Sequence, residues 1–306
     1  NAYESGLIYI RTAMELVEEK GLIIPEKMLR DLNLQRAESE HLIGNNDVVE
    51  AFFDKALSYT DDVIDRAIVT IRKIQFFNNI RNFEAAYKAC REVTAELGVK
   101  IPSSFSPPSL AIEFVKYKSL MGNRDVEDLI NLPEMQDEKL KTAILLMAAA
   151  AQSAFQIRPE LCVLVSAIMV NLCLKHGNAD GGFIGFLGFG PVFHSGILGF
   201  RTTGYKLGQL TLALVEKYQN YGARAETSFV TGYFAIPWRK PALEMETYWQ
   251  NAYESGLEVG DLFHASCASC AMIQSHFMRG VQFDSILDSS AAYLDFLNRI
   301  QLERLC

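Results

Sequence analysis

The chain has 306 residues, of which 49% are hydrophobic and 22% are charged, and its net charge is −8. This balance is typical of a folded globular chain and excludes an intrinsically disordered one. The excess of acidic residues argues against nucleic acid and against an anionic membrane surface as the main partner.

Apolar residues recur every three or four positions along most of the chain, which is the spacing of amphipathic helices. Leu7, Ile10, Met14 and Val17 form the first such stripe, which ends before Gly21. Glycine, proline and asparagine interrupt the pattern at intervals, and the alternation typical of strands is absent. We therefore predict an all-α fold of helical hairpins joined by short turns.

Two helical segments in the first hundred residues are offset by 34 residues, the length of a tetratricopeptide unit. Val49 and Phe83 share one position of the pattern. Ala56 and Cys90 share another, at which a small side chain lets two helices cross closely. Degenerate copies recur in the second half of the chain. They predict a tetratricopeptide-like right-handed superhelix, an α-α solenoid, formed by residues 1–306 as a single domain.

An irregular insertion is predicted at about residues 101–139, where Pro107 and Pro108 block a helix and Pro133 breaks the next one. A different signal is the heptapeptide NAYESGL, which occurs at Asn1–Leu7 and again at Asn251–Leu257. Its spacing is not a multiple of the shorter unit. It indicates that an early helix and a late helix carry similar chemistry.

The most apolar stretch, Phe183–Phe200, contains five glycines, Pro191 and His194. A membrane span needs about 20 predominantly apolar residues that stay helical in lipid. We therefore predict two buried helices with a turn near His194–Gly199, and no membrane span.

The closest approach to a metal site is the set His264, Cys267, Cys270 and His276 in FHASCASCAMIQSHF. On one helix, His264 and Cys270 are ~9 Å apart along the axis, so the four side chains do not converge on one ion. Small residues at a helix crossing explain the segment better. The cysteines of this long chain are expected to pack as small hydrophobes in a reducing, cytoplasmic compartment.

No pattern of an enzyme or of a cofactor site emerges from the chain. A nucleophile elbow and a zinc-protease motif are missing, and the glycines of Gly185–Gly190 and Gly199–Lys206 lack the order of a dinucleotide or phosphate loop. We predict a non-enzymatic chain without cofactor or metal. In a solenoid, binding residues are expected in the concave groove. The candidate groove residues are Ile71, Gln75, Asn78, Asn79, Cys267, Cys270, Gln274 and Phe277.

Several long segments together resemble one family region. They are NAYESGLIYIRTAMELV, LQRAESEHLIGNNDVVEAFFDKAL, NFEAAYKACREVTAELGVKIP, GNRDVEDLINLPEMQD, VNLCLKHGN, GYKLGQLTLALVEK and WRKPALEMETYWQNAYESGLEVGD. The resemblance is to the tetratricopeptide-like region that follows the AAA-type ATPase module in very large signalling proteins. Such proteins join a kinase-like domain, this ATPase, the helical region, a GAF domain and a histidine kinase or cyclase. The resemblance implies a coupling role and supplies no catalytic residue.

These observations predict a protein–protein interaction and signal-coupling scaffold of a multidomain signal-transduction protein. The chain begins at Asn1 without methionine or signal peptide and ends at Cys306 after a helical pattern, which predicts an excised piece. The expected partners are a protein or peptide, including flanking modules of the same chain; homo-oligomerisation stays open. The alternative is a small-molecule sensor with an internal apolar pocket among Phe183–Phe200 and Phe229–Tyr233. A weaker third reading is an enzyme whose site the sequence does not reveal.

Overall fold

The structure, a computed structural model, describes residues 2–19 and 21–299. Within these ranges the chain forms helices and no strand, which confirms the all-α prediction; Glu134 and Asn178 form an isolated parallel β-bridge. The chain groups into two compact units. Unit 1 comprises the residues up to Ser106 together with Gln136–Val165. Unit 2 comprises Pro107–Met135 and the residues from Ser166 onward.

Unit 1 is built from two runs of helices, one before and one after the segment Pro107–Met135. They are α1 (Ala2–Glu18), α2 (Glu26–Leu42), α3 (Val49–Leu57), α4 (Val63–Asn79), α5 (Phe83–Glu96), α7 (Glu138–Ala149), α8 (Ala151–Ile157) and the start of α9 (Pro159–His176). A short 3₁₀ turn, Asn46–Val48, precedes α3. The Asp62 side chain caps α4 by accepting hydrogen bonds from the backbone N–H groups of Ile64 and Asp65, at 2.8 and 2.9 Å.

Two hairpins dominate the packing of unit 1, because α2 packs along α3 and α4 packs along α5. Val49 opens α3 and Phe83 opens α5, while Ala56 and Cys90 are both fully buried. The 34-residue offset therefore connects equivalent positions of two hairpins. The tetratricopeptide-like superhelix as a whole stays a prediction.

Unit 2 contains α6 (Pro107–Met121), a 3₁₀ helix (Val126–Asn131), the rest of α9, α10 (Gly182–Leu187), a π-helix (Gly188–Ile197), α11 (Arg201–Lys217), α12 (Arg224–Phe234), α13 (Ala242–Val259), α14 (Leu262–Met278) and α15 (Phe283–Arg299). The 3₁₀ turns Tyr221–Ala223 and Ile236–Trp238 flank α12. Trp249 is buried against Ala252, Ala268 and Met272, and the Arg201 guanidinium lies 4.3 Å above the Trp238 ring.

The predicted insertion at 101–139 contains two of these helices, and its residues 107–135 belong to unit 2. Hydrogen bonds to Asn178 hold its second half in place. The backbone N–H of Asn178 donates to the Pro133 carbonyl at 2.8 Å, and its own carbonyl accepts from the Met135 N–H at 2.8 Å. Its side-chain amide also donates to the Leu129 carbonyl at 2.8 Å. The prediction that residues 1–306 form a single domain stays a prediction.

The apolar stretch Phe183–Phe200 differs from the two predicted helices in its geometry. α10 runs without a turn into the π-helix, in which Pro191 has no N–H to donate to the α-helical ladder. The Leu198 N–H donates instead to the Phe193 carbonyl, five residues earlier, at 2.9 Å. The turn lies after the π-helix, at Leu198–Gly199, which is the end of the predicted interval.

One helix of the described chain, α9, is long and apolar enough to cross a membrane, and 67% of its apolar window is buried inside the protein. α7 and α8 pass the same test only when they are taken together across a bend of 45°. Buried core helices share these properties, so this composition alone assigns no membrane role.

Candidate functional groove

Unit 2 contains a cavity of about 580 Å³ between α11 and α13. Thr227 and Ser228 of α12 are buried and form its floor. The walls are largely polar and come from α11, from the start of α12 and from α13. They include Gln209, Glu216, Arg224, Tyr248, Asn251, Glu254, Ser255 and Glu258.

A second cavity, of about 380 Å³, follows between α13 and α15. Its floor comes from α14 through Met272 and His276, and α15 contributes Tyr293. Asn251 lines both cavities, so they meet along α13. We call the residues that line the two cavities the α13 groove. It is flanked by every second helix, with the intervening helices as its floor, as expected for stacked helical hairpins.

The first cavity carries three carboxylates, from Glu216, Glu254 and Glu258, and one cation, Arg224. Arg224 donates to both carboxylate oxygens of Glu216, at 2.8 and 2.7 Å, and its guanidinium lies 4.1 Å from the centre of the Tyr221 ring. The hydrogen bond to Glu216 is the main reason that the pKa of Arg224 is raised. One of the three carboxylates is thereby neutralised.

The other two carboxylates project from successive turns of α13. Glu254 accepts a hydrogen bond from the Gln250 amide at 2.6 Å, while Glu258 forms no ion pair within 4 Å inside residues 2–19 and 21–299. Gln209 donates to the Tyr248 hydroxyl at 3.0 Å across the cavity. The first cavity thus combines uncompensated negative charge with amide and hydroxyl groups.

The second cavity is electrically closer to neutral. Glu246 accepts from the Ser275 hydroxyl at 3.0 Å and pairs with Arg279 at 3.1 Å. The His276 Nε2 lies 3.6 Å from the same carboxylate, and the Nδ1 of that ring lies 3.2 Å from the Ser289 hydroxyl. The negative character of the α13 groove is therefore concentrated between α11 and α13.

Four of the candidate residues predicted from the sequence lie on α4 of unit 1. Ile71 is half-buried and Gln75 is exposed. Asn78 donates to the Ala149 carbonyl at 3.1 Å and accepts from the Ser153 hydroxyl, so its amide joins helices within unit 1. The Asn79 amide lies 3.2 Å from the Nε2 of His41.

The other four candidates lie on α14, where Cys267 and Cys270 are half-buried and Gln274 and Phe277 are exposed. Neither of the two cavities is lined by any of the four. Phe277 contacts Phe283, with ring centroids 6.1 Å apart. Their binding role stays a prediction, whereas Met272 and His276 are the residues that α14 contributes to the α13 groove.

His264 and His276, which the sequence placed in one cysteine–histidine segment, have separate partners. The Nδ1 of His264 lies 2.8 Å from Asp261, the capping residue of α14. Burial lowers the pKa of His264, but the hydrogen bond to Asp261 and the charge of Glu226 outweigh it and leave the pKa raised. Among the residues that the structure describes, no three histidine, cysteine or acidic side chains are placed to hold a metal ion.

The α13 residues of the groove were missed by the sequence reasoning, although the sequence contains a signal for them. Asn251, Glu254 and Ser255 all belong to the second copy of the NAYESGL heptapeptide. In the first copy, Glu4 and Ser5 are exposed residues of α1, and Asn1 lies outside the described residues. The second copy of the heptapeptide therefore contains polar residues of a helix that lines the groove.

The sensor alternative predicts an internal apolar pocket among Phe183–Phe200 and Phe229–Tyr233, and the first of these segments is largely buried. Phe183, Phe186 and Phe189 are fully buried there. His194 is also fully buried, and its Nδ1 donates to the Phe189 carbonyl at 2.6 Å. Both groove cavities are lined by other residues, and the sensor alternative stays a prediction.

No family model matches the sequence. The chain is 20% identical over 330 residues to the hybrid signal transduction histidine kinase G of Dictyostelium discoideum. The alignment covers 97% of this chain and 10% of that relative, so the chain spans about a tenth of the relative's length. This similarity connects the chain to a signal-transduction kinase-related protein and is consistent with a role in signalling.

Proposed function

We propose that the chain is a non-catalytic protein-interaction and signal-coupling module of a multidomain signal-transduction protein, with an AAA-type ATPase and a histidine kinase or cyclase as other modules. One observation carries the proposal: the α13 groove is open, polar and bounded by alternate helices of unit 2. An active site would instead require convergent catalytic groups, and the groove carboxylates are spread along two helices, α11 and α13. The tetratricopeptide-like arrangement belongs to the same proposal.

The chemistry of the groove suits an extended polypeptide. Side-chain amides such as Gln209, Asn251 and Gln250 both donate and accept hydrogen bonds, and an extended peptide backbone offers unpaired groups of both kinds. Tyr248 and Tyr293 add flat surfaces with a polar tip, which are common anchors in protein interfaces. A cofactor is not needed for this role.

The proposed partners include neighbouring modules of the same protein. The relative is named as a hybrid histidine kinase, and the similarity covers a tenth of its length, which leaves room for several modules beside a helical region. Occupation of the groove by one module would alter the freedom of the next, and so couple them. We place this event in the cytoplasm.

The experiment is to immobilise the polypeptide segments that precede and follow this chain in its parent protein and to measure binding by interferometry. The variant Asn251→Trp fills the junction of the two cavities. It should weaken binding by at least about tenfold, since a bulky side chain removes the shared surface. The matched control is Asn123→Trp, at an exposed position between α6 and the 3₁₀ helix.

Failure of both segments to bind, or equal losses for the two variants, would count against the coupling role. The sensor alternative is tested on the same preparation by native mass spectrometry. A small molecule retained at unit stoichiometry, and lost on denaturation, would replace the interaction module with a sensor.

A further inference from the structure

We infer that the first cavity of the α13 groove selects a cationic segment, one that places at least two arginine or lysine side chains between α11 and α13. The inference rests on the proposed function and names the chemistry of its partner. The starting observation is charge: the cavity is lined by three carboxylates, from Glu216, Glu254 and Glu258, and by one cation, Arg224. The cavity therefore lacks cations that its carboxylates can hold.

Arg224 shows which group fits. Its guanidinium donates hydrogen bonds to both carboxylate oxygens of Glu216 and lies 4.1 Å from the centre of the Tyr221 ring. This pairing of a planar cation with a bidentate carboxylate and an aromatic face is the usual mode of arginine recognition. The protein thus already binds one guanidinium at the edge of this cavity, with its own side chain.

Glu254 and Glu258 are four residues apart on α13 and therefore lie on one face of the helix. Like charges at this spacing repel each other and disfavour the helix, unless a cation lies between them. Ser255 and Asn251, on the same wall, provide neutral groups for the rest of a bound segment. A partner cation placed between the two glutamates would relieve the repulsion.

Other occupants fit less well. An acidic peptide or a nucleic acid would add negative charge to the same cavity. In the described part of the chain, no three histidine, cysteine or acidic side chains are placed to hold a metal ion, so the carboxylates of this cavity do not form a metal site. An apolar helix would leave the side-chain amide of Asn251 without a partner. An extended cationic segment satisfies both the charges and the amides.

The test uses fluorescein-labelled nonapeptides of serine, alanine and glutamine that carry two arginines separated by one to five residues. Two companion sets replace both arginines with glutamate or with uncharged citrulline. Binding to the chain is measured by fluorescence polarisation at ~0.15 M salt, where the Debye length is about 8 Å. At least one arginine spacing should bind about tenfold more tightly than its glutamate and citrulline counterparts.

The decisive variant is Glu254→Gln with Glu258→Gln, which removes two charges and keeps the side-chain size. It should weaken binding of the preferred peptide by about tenfold. The matched control is Glu84→Gln with Glu92→Gln, two exposed residues of α5, which should change binding by less than about twofold. Circular dichroism verifies that both double variants keep their helix content.

Equal weakening in the two double variants would overturn the inference, because net charge alone would then explain binding. Tighter binding of the glutamate set, or no preference among the arginine spacings, would overturn it as well. These results leave the coupling role separately testable: flanking segments that bind and respond to Asn251→Trp support that role even when the cationic peptides fail.

Discussion

The side-chain amide of Asn178 donates a hydrogen bond to the backbone carbonyl of Leu129 at 2.8 Å, across 49 residues of sequence. Both residues belong to unit 2 and are buried. The backbone of Asn178 also bonds to Pro133 and Met135. The segments LKHGN and DVEDLINLPEMQD, which are the most specific parts of the family resemblance, are therefore joined by hydrogen bonds.

The junction predicts a strong effect of Gly177→Ala. Gly177 has a φ of +104°, and a Cβ at this position would lie 2.3 Å from the Pro133 carbonyl oxygen. The backbone cannot adjust its φ angle or move away from the clash without breaking the hydrogen bonds of Asn178. We therefore expect the free energy of unfolding of unit 2 to fall by about 2 kcal/mol or more. Urea titration followed by circular dichroism measures the change. Gly6→Ala, in α1 with open space around it, should be neutral or slightly stabilising.

Close helix crossing in unit 1 predicts that Ala56→Leu is destabilising. Ala56 is fully buried on α3, and three additional carbon atoms would force neighbouring side chains out of position. We expect a loss of about 1–3 kcal/mol in the free energy of unfolding. Ala51→Leu, on the exposed side of the same helix, should change it by less than about 0.5 kcal/mol. Equal effects of the two variants would contradict the assigned crossing.

The buried His194 predicts a loss of stability in acid. Burial is the main cause that lowers its pKa to about 4; the bond to Phe189 opposes this shift, and Lys118 adds to it. The unfolded chain, with a histidine pKa of about 6.5, takes up the proton first as the pH falls. The stability that neutral His194 contributes is therefore fully present above about pH 6.5. It is lost progressively as the pH falls from about 6.5 to about 4, and the total loss is up to about 3 kcal/mol.

The variant His194→Phe isolates this contribution. It loses the hydrogen bond to the Phe189 carbonyl and should be less stable than the wild type at neutral pH by about 1 kcal/mol. It should also lose less stability between pH 7 and pH 5, because no proton is taken up at this position on unfolding. Thermal melts at several pH values measure both. Parallel curves for the two proteins would show that another group causes the acid sensitivity.

The ion pair of Arg224 predicts a gain of affinity on its removal. Arg224→Gln frees the Glu216 carboxylate for a partner cation, so binding of an arginine-containing nonapeptide should tighten by about three- to tenfold. The gain should shrink in high salt, which screens exposed charges. Because the pair is partly exposed, stability should change by less than about 1 kcal/mol. Weaker peptide binding would mean that Arg224 itself contacts the peptide.

Much of the helical framework could be predicted from the sequence. Gly260, for example, is one of the glycines that interrupt the helical pattern, and it follows α13 directly with a φ of +80°, a conformation that favours glycine at the end of a helix. The 34-residue offset between Ala56 and Cys90 likewise connects two buried positions. These features depend on neighbouring residues along the chain, which is why local patterns are sufficient for them.

Features that depend on distant contacts escaped the sequence reasoning. The π-helix, which contains Pro191, lies in a stretch that is apolar on every side, so no hydrophobic period marks it. In the α13 groove, α14 contributes His276 rather than Gln274. Two residues rotate a helix by about 200°, so positions 274 and 276 lie on nearly opposite faces of α14.

The position of the two tryptophans gives the molecule a built-in optical asymmetry. Trp238 and Trp249 both belong to unit 2, and unit 1 contains none. Indole emission therefore follows the melting of one unit, whereas the far-ultraviolet helix signal follows the melting of both. Coincident transitions would show that the units unfold as one cooperative block, and separated ones would rank their stabilities without any label or truncation.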